Sequence, residues 1–140
     1  MTDDLKNNLI DIGNLKLHYE VTGPLGAPWL TVAHSLATNM SMWESQLPVL
    51  SEHFRVLSFD ARGHGGSDIP KTSSAMSNLV EDVLGLWDGL NIERSHFVGL
   101  SMGGMTGMGV ALKAPHRVQS LVACDCRLDA PRFFQDMWDQ

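Results

Sequence analysis

Gly99-Leu100-Ser101-Met102-Gly103-Gly104 is the stretch on which the reading of this 140-residue chain turns. It follows the apolar run His96-Phe97-Val98 and leads into a segment of small residues, Met105 to Ala114. That order predicts a strand, a tight turn and a helix, with Ser101 at the tip. Gly99 and Gly103 stand two positions away on either side. Their missing side chains leave room for a strained backbone that projects the serine hydroxyl, where larger residues would strike the neighbouring strand and helix. The spacing Gly-x-Ser-x-Gly alone is moderately specific, and its glycines also suit close helix packing. The apolar strand before it, the small-residue helix after it and a further strand from Val118 to Cys124 favour a nucleophilic serine.

Working outward, Leu9 to Ile12 and Leu15 to Val21 flank the turn signal Gly13-Asn14. Leu15, Leu17 and Tyr19 alternate with Lys16, His18 and Glu20, the period of a strand with one wet face. Trp29 to Ala33 and Val56 to Phe59 are apolar nearly throughout, as strands covered on both faces are. A polar loop, His34 to Asn39, follows the first, and a glycine-dense turn, Asp60 to Asp68, follows the second. Met42 to Leu50 reads as a short helix despite Pro48. Asn78 to Leu90 reads as an amphipathic helix with Glu81, Asp82 and Asp88 on its wet side. Pro115 ends the helix after Ser101. Asp129-Ala130-Pro131 reads as a helix start, with Phe133, Phe134, Met137 and Trp138 on one side. Alternating strands and helices from residue 29 to 124 imply an α/β fold, a mostly parallel sheet with helices on both faces. Residues 1–140 read as one domain without an interior boundary.

Composition narrows the function classes. A net charge of −6 without any Lys/Arg cluster argues against a nucleic-acid surface. No apolar stretch reaches membrane-spanning length, and the acidic start Met1-Thr2-Asp3-Asp4 is unlike a secretory signal, so a cytoplasmic location is expected. Cys124 and Cys126, two apart in an expected strand, are badly placed to bond to each other and read as buried, reduced thiols without a metal.

The chemistry centres on Ser101. The backbone N–H of Met102 and the following helix N-terminus face the space where a tetrahedral oxyanion would form, and Gly103 and Gly104 keep that space open. The second oxyanion donor is expected from the loop after the strand at 29–33, with Leu36 N–H as the candidate. His34 reads as a hydrogen-bonding organiser of that loop. The 60–67 turn lacks the ending of a phosphate-binding loop and reads as structural. Its Arg62 is expected to pair with a buried carboxylate or backbone carbonyls, and His64 to be structural. Asp125 admits two readings, a triad carboxylate or a strand-end aspartate that caps the turn, and the second is preferred. A serine hydroxyl needs a histidine base oriented by a carboxylate. The one histidine after Ser101, His116, lies at the far end of the helix, on the order of 18 Å away. His18, His53 and His96 lie in or beside strands at unsuitable ends. The chain therefore reads as holding a nucleophile and an oxyanion hole without a complete triad.

With these residues in place, the chain resembles the N-terminal half of an α/β-hydrolase, and specifically the 3-oxoadipate enol-lactonases of the β-ketoadipate pathway in aromatic compound catabolism. His34-Ser35-Leu36-Ala37-Thr38 is close to that family's Asn-Ser-Leu-Gly-Thr, with His34 and Ala37 as departures. Trp43 resembles its Met-Trp segment. Asp60-Ala61-Arg62-Gly63-His64-Gly65-Gly66-Ser67 matches its Asp-x-Arg-Gly-x-Gly-x-Ser turn, and Gly99 to Gly104 its nucleophile turn. The resemblance runs from about Ile10 onward, with residues 129–140 similar to the start of a helical cap. It implies an α/β-hydrolase fold lacking its C-terminal strands, and a serine hydrolase opening a small enol-lactone through an acyl-enzyme. Ser101 would be the nucleophile, Leu36 and Met102 the oxyanion donors, and Ser35, Gly99, Gly103 and Gly104 their support. Asp60, Arg62, Gly63 and Gly65 would form the structural turn. No metal or organic cofactor is implied. The family's catalytic aspartate and histidine would come from a complementary polypeptide carrying the C-terminal half, unless the chain is a truncated or cleaved piece. The same motifs serve general carboxylesterases and carbon–carbon bond hydrolases. A half-domain acting structurally or by assembly is the alternative of a different class. The strand at 118–124 would leave an open apolar edge in the chain alone, and the aromatic stripe at 133–138 would be uncovered.

Overall fold

A computed structural model describes residues 3–127. The expectations placed on residues 129–140 lie outside that range. Six strands form one sheet in the order β1-β2-β4-β3-β5-β6. They are β1 (Leu5–Asp11), β2 (Lys16–Thr22), β3 (Trp29–Ala33), β4 (Arg55–Phe59), β5 (Ser95–Leu100) and β6 (Val118–Cys124). β2 pairs antiparallel with β1 and β4, whereas β4, β3, β5 and β6 run parallel. The expected mostly parallel sheet is therefore present. β3 sits between β4 and β5, so the chain leaves it first to one side and then crosses to the other. Loops following the carboxyl ends of these three strands meet at that reversal, where open α/β sheets place their ligands.

Period-2 alternation sends neighbouring residues of β4 to opposite faces. Leu57 and Phe59 join Leu17, Val83, Leu86, Trp87, Phe97 and Val110 in the larger core. This core lies against α2 (Met76–Gly89) and α3 (Met102–Lys113). Val56 joins Leu30 and Val32 in a smaller core covered by Trp43, Leu47 and Leu50. The buried polar atoms of the larger core satisfy one another. Trp87 Nε1 donates to Thr31 Oγ1 at 2.9 Å, Thr31 and Ser95 hydroxyls are 2.9 Å apart, and Ser95 Oγ donates to the His96 carbonyl at 2.6 Å.

Several expectations are corrected. The helix expected over Met42 to Leu50 is instead a 3₁₀ turn, Met40–Trp43, followed by the single helical turn α1 (Leu47–Leu50). Pro48 has no N–H and its ring cannot follow a helical turn, so the helix restarts around it. α2 begins two residues earlier than expected, because Asn78 Oδ1 reaches back to accept from Ala75 N–H at 2.8 Å. Asp82, expected on the wet side, is buried and holds Arg62 through two hydrogen bonds, Nε to Oδ2 at 2.6 Å and Nη2 to Oδ1 at 2.7 Å. Helical periodicity places Asp82 near the edge of the apolar face but carries no sign of the partner that the 60–67 turn delivers. Cys126 lies beyond the end of β6, and both cysteines are half-exposed rather than buried. Among the described residues β6 is an edge strand, with Val122 54% exposed.

The Arg62–Asp82 pair ties the turn after β4 to α2. Truncating one member of a buried pair leaves the other charged and unmatched, a loss of about 3–5 kcal/mol. Asp82→Asn is expected to lower stability by about 3 kcal/mol in urea unfolding. A change under about 0.5 kcal/mol, the range of ordinary surface substitutions, contradicts this role.

Candidate active site

Ser101 connects β5 directly to α3, with φ 53° and ψ −113°. For a residue with a Cβ this is strained backbone. Two close approaches impose it. A Cβ on Gly99 would fall 2.5 Å from Gly104 N and closer still to the Gly103 carbonyl. One on Gly103 would fall 2.8 Å from the His34 carbonyl oxygen and closer still to that of Ala33. The glycines are thus required by contact with backbone, since neither has a positive φ. Ser101 N–H donates to the Cys124 carbonyl at 2.9 Å, and its own carbonyl accepts from Met105 N–H at 3.0 Å. The serine is consequently fixed from β6 on one side and from α3 on the other.

The Gly103 contact also brings the loop after β3 against the start of α3. Ala33, His34, Met102, Gly103 and Thr106 border one small, largely apolar cavity there. Met102 N–H belongs to the first turn of α3, where no intrahelical acceptor exists. Leu36 lies exposed in the facing loop. Ser35 anchors that loop through its carbonyl, which accepts from Thr38 Oγ1 at 2.8 Å and from His34 Nδ1 at 2.8 Å.

Behind the loop, the Asp60 carboxylate accepts from Met40 N–H at 2.8 Å, Gly66 N–H at 2.9 Å and His18 Nδ1 at 2.7 Å. Burial opposes its ionisation, yet these donors together hold its pKa below the ordinary aspartate value. His18, expected on a wet face, is instead held in this network. Gly63 and Gly65 carry φ of 72° and 49°. A side chain at Gly65 would also strike the Asp60 carboxylate. His34 is buried, and desolvation, the largest influence, lowers its pKa below 6.5.

All six histidines lie among the described residues, and none hydrogen-bonds to Ser101. His18 serves Asp60, His34 and His64 serve the two loops, and His96 pairs with Ser120 Oγ at 2.6 Å. Sequence reasoning missed that His64 reaches across to the loop after β3, donating nothing there but accepting from Ala37 N–H at 3.1 Å. No local pattern signals a bond spanning 27 positions. Among the described residues no three His, Cys, Asp or Glu side chains gather at metal-binding spacing, and no helix is long and apolar enough to cross a membrane.

A strained serine between a parallel strand and a helix, with the loop after β3 facing it, defines a known architecture. Residues 28–140 match the family model of the alpha/beta hydrolase fold, and the chain belongs to that family. It is similar to 3-oxoadipate enol-lactonase 1 of Acinetobacter baylyi, 37% identical over 123 residues, which are 88% of this chain and 45% of that protein. RutD of Agrobacterium fabrum, described as a carbamate hydrolase, is 36% identical over 110 residues, 76% of this chain and 42% of that protein. The crystal structure of the enol-lactonase from Burkholderia xenovorans LB400 superposes with a TM-score of 0.83 at 42% identity, over 85% of this chain and 46% of that one. The chain spans less than half the length of these relatives.

Strain at Ser101 has a measurable consequence. Glycine removes the steric penalty of about 1–3 kcal/mol, while its greater unfolded-state freedom offsets about 0.5–1 kcal/mol. Ser101→Gly is therefore expected to be more stable than Ser101→Ala by about 1 kcal/mol in thermal or urea unfolding. Equal stability of the two variants contradicts the strained geometry.

Proposed function

We propose that this chain supplies the nucleophile and oxyanion donors of a serine hydrolase that cleaves carboxylic esters and lactones through an acyl-enzyme. The observation that carries this reading is Ser101 in strained backbone at the start of α3, facing the loop that holds Leu36. Ser101 Oγ attacks the substrate carbonyl, whose oxygen takes up the negative charge. Met102 N–H and Leu36 N–H receive that oxyanion, and the positive end of α3 favours it. Collapse breaks the acyl C–O bond and leaves an acyl-Ser101 ester. The alkoxide or enolate takes up a proton and departs as the alcohol or enol from an open ester, or stays tethered to the acyl group from a lactone. Water then attacks the ester carbonyl, releasing the acid and returning the proton to Ser101.

An imidazole must take the serine proton, and a carboxylate must orient it. None of the chain's histidines occupies that place, so we assign both groups to polypeptide beyond these 140 residues, supplied as a complementary chain or as a continuation of this one. The enol-lactone reading is the second, narrower one. It is favoured by the Ser35-Leu36 pair and by the two enol-lactonase relatives at 37% and 42% identity. The comparable 36% identity to a carbamate hydrolase supports the broader acyl-transfer class over one substrate.

A fluorophosphonate probe, analysed by peptide mass spectrometry on the protein together with its C-terminal complement, is expected to modify Ser101 and no other serine. Ser101→Ala should abolish both labelling and turnover of a panel of p-nitrophenyl esters, lactones and enol-lactones. Labelling elsewhere, or unchanged turnover by Ser101→Ala, contradicts the assignment.

A further inference from the structure

Leu36 N–H can receive an oxyanion only if its peptide plane is held, and two histidines from opposite loops hold it. His34 Nδ1 lies 2.8 Å from the Ser35 carbonyl oxygen, which only accepts, so the proton is on Nδ1. Nε2 of the same ring then carries the lone pair, and it accepts from Ala61 N–H at 2.9 Å in the turn after β4. His64 repeats this arrangement in the reverse direction. Its Nδ1 donates to the Arg62 carbonyl at 2.9 Å, and its Nε2 accepts from Ala37 N–H at 3.1 Å in the loop after β3. The ring centroids are 5.1 Å apart.

The two bonds act on the peptides either side of Leu36. In a trans peptide the C=O and N–H point in opposite directions. Fixing the Ser35 carbonyl on His34 and Thr38 therefore turns Leu36 N–H to the other side of that plane. The next peptide is fixed by Ala37 N–H on His64. Ala37 has φ 61°, a left-handed conformation that is unfavourable for a residue with a Cβ and needs an external restraint.

We propose that His34 and His64 form a reciprocal pair of positioning residues that orients the Leu36 peptide as an oxyanion donor and holds only while both Nε2 atoms are unprotonated. The functional half of this inference rests on the serine-hydrolase reading above; the clamp itself does not. A proton on either Nε2 would set N–H against N–H and release one loop from the other. The charged groups around the pair are Asp60, at the end of β4, and Arg62, which is already matched by Asp82 of α2. Asp60 favours a proton on His34 and the neighbouring His64 opposes it, while desolvation, the largest influence, lowers the His34 pKa below 6.5. Since the unfolded ring takes a proton more readily than the folded one, His34's contribution to stability is complete above 6.5 and is lost as pH falls through the folded value. From α3, the residues bordering His34 are Met102, Gly103 and Thr106, none of them titratable.

The test is ¹⁵N NMR of the full chain between pH 8 and pH 5, with amide exchange at Ala37 and Ala61. Both imidazoles are expected as Nδ1–H tautomers at pH 8. Protection of Ala37 should be lost with the midpoint of the His64 ring titration, and that of Ala61 with the midpoint of His34. His64→Gln, whose amide oxygen accepts without titrating, should keep Ala37 protected at pH 5, whereas His64→Leu should expose it at least tenfold at every pH. An Nε2–H tautomer, or Ala37 exchange that ignores the state of residue 64, overturns the clamp. Should His64→Leu not fold, the wild-type titration and His64→Gln decide the same point. Fluorophosphonate labelling of the complemented protein tests the link to the site: His64→Gln should label at near the wild-type rate and His64→Leu about tenfold slower. Equal rates overturn the positioning role. Absence of labelling in the wild type overturns the hydrolase reading instead, and with it the oxyanion role of the Leu36 peptide, while the amide data still decide the clamp.

Discussion

Contact of the α3 N-terminus with the backbone of β3 is the constraint on which the site depends. Gly103 lies so close to the Ala33 and His34 carbonyls that no side chain fits between them, and Gly99 lies equally close to Gly103 and Gly104. Two approaches of this kind within five residues leave the chain between β5 and α3 no relaxed path. Ser101 absorbs the mismatch at φ 53°. The same contacts place the first free N–H groups of α3 opposite the loop that carries Leu36, so the strain and the electrostatic environment have one origin.

Around that contact the parallel order β4-β3-β5 delivers three loops to one edge of the sheet. The turn after β4 has no residue assigned to chemistry, yet it organises its neighbours. Asp60 gathers backbone N–H groups from Met40 and Gly66, Arg62 binds α2 through Asp82, and His64 reaches the loop after β3. Glycines at 63 and 65 allow the turn to be this tight, since both carry positive φ. The turn is a bracket between the helix layer and the loop after β3.

Much of this was legible in the residues. Strands β2 to β6 lie close to where alternation or continuous apolar runs put them, because burial on one or both faces leaves a periodic imprint. By contrast, β1 begins at Leu5, four residues before the expected Leu9, in a polar stretch that carries no such imprint. The serine turn was legible because only glycine tolerates the two close approaches. Long-range polar pairing was not: Asp82 looks like a solvated helix residue, and only the turn arriving from residue 62 makes it an interior one. The reach of His64 to Ala37 was hidden for the same reason. Pro48 did announce a helix break, but the amphipathic spacing of Trp43, Leu47 and Leu50 masked it, since those residues cover one apolar patch from two separate turns. The substrate is the least legible feature. Relatives described as a lactonase, as a carbamate hydrolase and as a fluoroacetate dehalogenase match this chain at 37%, 36% and 32% identity.

The central claim is that backbone contact at Gly103 forces the conformation of Ser101. A crystal structure of the Gly103→Ala variant tests it most directly. The added Cβ should push α3 away from β3, and Ser101 should relax out of the positive-φ region. Ser101 retaining φ near 53° with α3 undisplaced would contradict the account.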